Sequence, residues 1–285
     1  MTISIKGYST AMFATWFFIN ELDLLLDAGD GITAGLMQKS KKIKHAFISH
    51  ADRDHLTGLL QLNQLVADKP GALNIYHPEC SGSFNALKVF TKNFDPHVAG
   101  ANWIGINAGD MINIKAGFKV KVLPSRHLPG TGDLSKSFSF IIYRCKQKLL
   151  KQYEQLSPQA LIDLKNHTDI SEEVLKPLLG YSADSPVETD GRWNDVPILI
   201  HECTFLNRDG NIQNVTKANL HSALPELAEM LSASNNKHVI LSHFSTRYSY
   251  QQIDEAINTY KERYPRLSDI RILYPGNIQT FEFEV

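Results

Sequence analysis

Cysteine is scarce in this sequence: 285 residues hold three, Cys80, Cys145 and Cys203, widely spaced and with no CxxC pair. A disulfide framework is therefore excluded, and the usage suits a reducing compartment. A basic surplus is also missing, since 29 Lys and Arg face 30 Asp and Glu for a net charge of -1. The chain as a whole does not have the charge of a protein that coats nucleic acid, so any contact with a polyanion must be local. Long apolar runs are absent too. The first candidate, 11–19, is too short to span a bilayer and meets Asn20, Glu21 and Asp23 at once. No repeat of solenoid length and no low-complexity tract appears. What is present is 43% hydrophobic residues, enough for a large core in one domain. These features predict a soluble cytoplasmic protein without a membrane partner.

In chain order, short β-type runs at 13–19 and 24–26 lead into the turn Asp27-Ala28-Gly29-Asp30-Gly31. Lys39, Lys41, Lys42 and Lys44 form a basic run before a strand at 45–49; such runs are mostly solvated. Leu56, Leu59, Leu60, Leu62 and Leu65 repeat at helical spacing. Between 73 and 123 the text reads as short strands, and another begins at 138. From about 146 to 179 the spacing of Leu149, Leu150, Tyr153, Leu156, Leu161 and Leu164 predicts a helical insertion. Strands at 178–181, 197–200, 239–241 and 270–274 and helices near 222–232 and 249–263 complete the pattern.

Against that background one stretch stands out. Ile48-Ser49-His50-Ala51-Asp52-Arg53-Asp54-His55 puts four potential metal ligands within six residues, between a strand and a helix. A loop can turn several side chains toward one point while the flanking elements hold it rigid. Asp54 and His55 fall in the helix's first turn, where the helix end adds positive potential. Further ligand types sit at other strand ends: His127, Asp184, Glu202 and His243.

In this order the motifs resemble the metallo-β-lactamase superfamily, whose signature is HxHxDH followed by a distant His, an Asp and a last His. Within it the chain looks most like ribonuclease Z, the tRNA 3′-processing endonucleases. That likeness is carried by Leu24-Leu25-Leu26-Asp27-Ala28-Gly29-Asp30-Gly31, Tyr181-Ser182-Ala183-Asp184-Ser185, His201-Glu202-Cys203-Thr204-Phe205, His221-Ser222 and His243-Phe244-Ser245-Thr246-Arg247-Tyr248. The resemblance implies an αββα sandwich, an α/β fold of two sheets flanked by helices, with two divalent metal ions at the sheet edges. It implies that His50, Asp52, His127 and Asp184 hold one ion, that Asp54, His55, His243 and the bridging Asp184 hold the other, and that the ions are Zn²⁺. Asp54 would also steer the attacking water, His221 with Glu202 would serve the leaving oxygen, and Arg247 would contact substrate phosphate. The implied reaction is phosphodiester hydrolysis by metal-bound hydroxide on RNA (pre-tRNA) or a smaller diester, in a homodimer.

Two departures qualify this expectation. Asp52 stands where the signature has its second histidine, so three carboxylates and a bridging hydroxide would cancel the charge of two divalent ions. Carboxylate for imidazole also favours harder ions such as Mn²⁺ or Fe²⁺ relative to Zn²⁺. The 146–179 segment lacks the long Gly/Pro-rich arm by which bacterial ribonuclease Z grips tRNA. Other readings stay open on sequence alone: an ester or sulfuric ester hydrolase on the same centre, or a binding protein with an idle metal site. His45, His77, His97, His167 and His238 lie outside the signature, His201 reads as structural, and Arg126, Arg144, Lys146, Lys148 and Lys151 read as a solvated face.

Overall fold

The computed structural model describes all of the chain except 67–70, 98–99, 129, 131–133 and 208–219. β1 (Thr2–Thr10), β2 (Ala14–Ile19), β3 (Leu24–Leu26), β4 (His45–Phe47), β5 (Asn74–Pro78), β6 (Asn102–Ile106) and β14 (Gln279–Glu284) form the first sheet. Their spatial order is β14-β1-β2-β3-β4-β5-β6, with β3 to β6 parallel. β7 (Met111–Lys115), β8 (Phe118–Pro124), β9 (Phe138–Leu149), β10 (Ser171–Tyr181), β11 (Ile198–Glu202), β12 (His238–Ser242) and β13 (Ile270–Ile272) form the second. They run β13-β12-β11-β10-β9-β8-β7, with β10 to β13 parallel.

The inner strands of the parallel halves, β3, β11 and β12, are buried along almost their whole length and read as apolar runs, as strands covered on two faces do. One face of each sheet meets the other in a shared core that includes Phe17, Phe47, Phe140, Tyr181 and Ile200. The outer face of the first sheet is covered by α1 (Ile32–Leu36), α3 (Leu59–Leu65) and α4 (Gly82–Phe94), through Ile32, Leu62 and Phe84. The outer face of the second lies under two helices, Leu224–Ala233 (α6) and Tyr250–Arg263 (α7). The result is the αββα sandwich expected. Ser249 and Gln252 close a capping box that fixes where α7 starts.

Three differences from the sequence expectation have physical causes. The helix expected after Asp54 is broken at Thr57 and Gly58 into α2 (Arg53–Leu56) and α3. A Cβ on Gly58 would lie 2.3 Å from the Gly29 carbonyl oxygen, and one on Gly29 would lie 2.3 Å from that of Asp54. The turn after β3 therefore packs backbone to backbone on the loop that carries the clustered ligands, which only glycine permits. The helical insertion at 146–179 is also corrected: helix is confined to α5 (Pro158–Lys165), with a 3-10 turn at Lys151–Tyr153. β9 and β10 pair continuously from Tyr143↔Pro177 to Leu149↔Ser171. β8 leaves β9 at Arg144 and β11 pairs only with 179–181, so the outer half is a two-stranded ribbon tipped by α5. The Leu spacing at the tip is helical, but the flanks face solvent on both sides and carry no alternation that marks a strand. Lastly, α4 was not expected, because its buried Phe84 and Thr91 compete with the exposed Val89, Phe90 and Phe94.

Candidate metal centre

The ligand types gather at one edge, where the chain leaves the C-terminal ends of β4, β8, β10 and β12, the usual place for a site in parallel sheets. Of the two fully buried imidazoles, His50 comes from the β4–α2 loop and His55 from α2, and His127 and His243 come from the ends of β8 and β12. Asp184 is the common neighbour. Its Oδ2 lies 3.8 Å from His50 Nε2, 4.0 Å from His127 Nε2 and 3.3 Å from His55 Nε2, while Oδ1 is 3.3 Å from His243 Nε2. Asp54 Oδ2 is 3.6 Å from both His55 Nε2 and His243 Nε2. Asp52 Oδ2 is 3.6 Å from His50 Nε2 and 3.5 Å from His127 Nε2. Asp52 occupies the N-cap of α2, a position where aspartate ordinarily accepts a helix N–H, yet its side chain makes no cap bond. It faces the imidazoles instead.

Each of the four histidines is held by its other nitrogen. His50 Nδ1 bonds Ser49 Oγ at 2.9 Å, His55 Nδ1 bonds Asp27 Oδ2 at 2.8 Å, His127 Nδ1 bonds the Leu220 carbonyl at 3.1 Å and His243 Nδ1 bonds Thr204 Oγ1 at 2.9 Å. Thr204 donates its own hydroxyl proton to Glu202 Oε2 at 2.6 Å, so it accepts from His243 Nδ1–H. That fixes the tautomer with the Nε2 lone pair turned inward. All four Nε2 atoms are buried with no hydrogen-bond partner. Unpaired buried nitrogens facing three carboxylates are costly unless something binds them, and imidazole oriented through Nδ1 is the usual arrangement of a metal ligand. The donor set fits two divalent ions sharing Asp184. Three sets among the described residues have ligand atoms close enough for one ion: His50, His127, Asp184; Asp54, His55, His243; and Asp184, His221, His243.

The cluster's charges bear on each other's ionisation. Burial lowers the basicity of His55, but Asp184 and Asp27 outweigh it and raise its pKa well above the usual value. Burial opposes ionisation of Asp184, yet His243 and His55 hold its pKa well below the usual range. Metal uptake must therefore displace protons and weaken in acid.

Beside the cluster, His221 Nδ1 lies 2.9 Å from Glu202 Oε1. Glu202 is buried and also accepts from Ser185 N–H at 2.8 Å. Burial would lower the His221 pKa, but Glu202 and Asp184 push it up to about 9. Arg247 is not part of the convergence. It is exposed, with its guanidinium 5.5 Å over the Phe205 ring, which in turn meets His221 edge-on at 6.3 Å.

Sequence reading missed the groups behind the ligands. Asp27, fully buried, accepts from Ser49 N–H, Ser49 Oγ and the Tyr181 hydroxyl as well as bonding His55. Its signals were a carboxylate directly after three leucines and its place in the Leu24–Gly31 motif, neither of which assigned it a role. Asp27, Ala183 and His243 all have positive φ, at 54°, 51° and 61°, strain that persists where surroundings over-determine it. Replacing Asp27 by Ala should weaken metal retention about 10–100-fold while the exposed surface is untouched; equilibrium dialysis of the variant against zinc, showing affinity equal to the parent chain, would contradict that role.

The Beta-lactamase superfamily domain profile matches residues 23–150. The chain is similar to tRNase Z TRZ1 of Arabidopsis thaliana, 25% identical over 263 residues covering 89% of each chain. It is also similar to Ribonuclease Z of Methanocaldococcus jannaschii, 25% identical over 295 residues, 91% of this chain and 88% of that one. Among solved structures, the metallo-beta-lactamase fold protein YhfI from Bacillus subtilis matches with TM-score 0.66 at 16% identity, covering 98% and 99% of the two chains. Human tRNase Z, short form, matches with TM-score 0.61 at 17% identity over 98% of each. These structural likenesses establish the fold.

Proposed function

We propose that this chain, a ribonuclease Z-like member of the metallo-β-lactamase superfamily and a metal-dependent hydrolase, cleaves phosphodiester bonds at RNA 3′ ends, with pre-tRNA as the substrate. The observation that carries the reading is an imidazole–carboxylate pair beside the histidine cluster: His221 Nδ1 on Glu202 Oε1 at 2.9 Å, next to four inward-facing Nε2 atoms. A ribose oxygen leaves poorly without a proton, and an acid placed there answers that need.

His50, Asp52, His127 and Asp184 would hold one ion and Asp54, His55, His243 and Asp184 the other. The ions supply Lewis acidity, a lowered pKa for water and charge to offset the phosphoryl oxygens. Asp54 accepts the Met12 amide on Oδ2 at 3.1 Å, which fixes its carboxylate for orienting the attacking water. His221 delivers the Nε2 proton to the leaving oxygen, while Nδ1 stays on Glu202, which balances the imidazolium charge. The outer β9–β10 ribbon offers reach toward a large RNA, and its register sets Lys148 opposite Glu172.

Incubating the metal-loaded protein with a pre-tRNA bearing a 3′ trailer, beside bis(p-nitrophenyl) phosphate, tests the reading. Release of a mature-length 3′ end and turnover of the diester are both expected. Diester turnover with the pre-tRNA intact would sink the tRNA reading and leave a smaller phosphodiester as substrate.

Zinc is the expected ion by likeness, with Asp52 shifting the balance toward Mn²⁺ or Fe²⁺. Dialysis of the protein and of Asp52→His against equal Mn²⁺ and Zn²⁺ should give a ratio of bound manganese to zinc that falls several-fold in the variant. An unchanged ratio would show that Asp52 does not touch the ion.

A further inference from the structure

The β1–β2 hairpin tip is tied to the ligand loops by main-chain bonds. Met12 N–H donates to Asp54 Oδ2 at 3.1 Å, and Ala11 N–H donates to the carbonyl of Phe244, the residue after His243, at 3.4 Å. Met12 holds φ at 70°, a conformation that a side chain with a Cβ rarely adopts. This fixed tip nonetheless leaves Met12 89% and Phe13 62% exposed. Phe13 is also a wall of a pocket of about 480 Å³ whose other sides include Tyr8, Trp16, Gly35 and Ile278, with Asp30 among its lining residues.

The pocket is aromatic by construction. Tyr8 and Trp16 stack with ring centroids 6.4 Å apart and 18° between planes. A Cβ on Gly35 would come 2.7 Å from the Trp16 ring, so glycine keeps a larger side chain off that ring. Its polar group, Asp30, has one carboxylate oxygen on Gly31 N–H at 2.8 Å. Asp30 sits on the turn that locks to the ligand loop through Ala28 N–H to the His55 carbonyl at 2.8 Å. Pocket and metal centre therefore share backbone on both the hairpin side and the turn side.

We propose that this pocket is a nucleobase subsite: a base of the RNA whose phosphodiester lies at the metal centre stacks on Phe13 beside the Tyr8–Trp16 pair and offers an exocyclic amino group to Asp30. The proposal rests on the phosphodiester reading above. Aromatic faces bind any base through its π surface, and a carboxylate accepts from an amino group while repelling a second phosphate. An acyl chain would use the apolar walls and leave Asp30 without purpose. Continuity with Asp54 and His243 is what makes a substrate, rather than a separate protein, the occupant.

Adenosine, which has no phosphate to reach the ions, is the probe. Titration calorimetry on the metal-loaded protein should show millimolar binding of adenosine and weaker binding of purine riboside, which lacks the amino group. Phe13→Ala should weaken adenosine about tenfold, Phe13→Trp should restore it, and Asp30→Asn should erase the preference for adenosine over purine riboside. Phe13 is exposed, so its truncation leaves the core intact, and a thermal melt confirms the fold. No binding by the parent protein, equal binding by Phe13→Ala and Asp30→Asn, or dissociation of a dimer by Phe13→Ala in sedimentation would each overturn the subsite. Failure of the phosphodiester reading would show separately, as absent hydrolysis of bis(p-nitrophenyl) phosphate by the same preparation.

Discussion

Replacing Asp184 by Ala is expected to abolish retention of both divalent ions and to cut diester hydrolysis at least about a thousandfold. Asp184 is buried, and among the described residues its two oxygens are the one carboxylate pair within 4.0 Å of all four cluster imidazoles, reaching His50, His55 and His127 through Oδ2 and His243 through Oδ1. In the proposed assignment its removal would take a ligand from both sets, whereas any other single substitution would leave one of the two sets whole. The backbone around it is independently fixed, since Ser125 Oγ donates to the Asp184 carbonyl at 2.9 Å and Ser185 N–H donates to Glu202. The loop should therefore keep its shape. Elemental analysis of Asp184→Ala and of the isosteric Asp184→Asn checks the claim: both should be metal-poor yet melt cooperatively. Full metal content in either variant would remove Asp184 from the bridging position.

His221→Ala should have the second largest effect, and its size should depend on the leaving group. For a ribose oxygen the loss is expected to be about 10²–10⁴-fold in kcat. For p-nitrophenolate, which leaves without a proton, it should stay below about tenfold. Glu202→Gln should show the same pattern more weakly, because the imidazole keeps a hydrogen-bond partner but loses the charge that raises its pKa to about 9. Metal content should be close to that of the parent chain. Single-turnover rates on an RNA and on a p-nitrophenyl diester give the comparison. An equal loss on both substrates, or a loss of metal in step with activity, would instead assign His221 a ligand role toward Asp184 and His243, a grouping the geometry permits.

Much of this centre was legible in the sequence for a specific reason. Metal ligands come from a few residue types, and a strand-to-helix loop such as 48–55 gathers four of them within reach of each other. His127, Asp184 and His243 were legible because each follows an apolar strand of β length. The groups that orient them were not. Asp27, Ser49 and Thr204 matter through hydrogen bonds made across the fold, such as His243 to Thr204, 39 positions apart in sequence, and no local pattern announces such a bond. The sandwich was legible through the family resemblance that the strand-end motifs carry, with which the strand-rich pattern agrees. The outer ribbon was misread because leucines near α5 keep helical spacing while both faces of β9 and β10 beyond Lys146 meet solvent, so neither period marks a strand. The aromatic pocket lay unread because Tyr8, Phe13 and Trp16 become neighbours only when β1 and β2 pair, with Tyr8 opposite Trp16.

The most direct test of the account is to strip the protein with chelator and follow bis(p-nitrophenyl) phosphate hydrolysis as divalent metal is titrated back. The account predicts no turnover in the stripped protein and a rate that climbs to a plateau at two equivalents per chain. Turnover that survives chelation, or a protein holding two equivalents that leaves the diester intact, would contradict it.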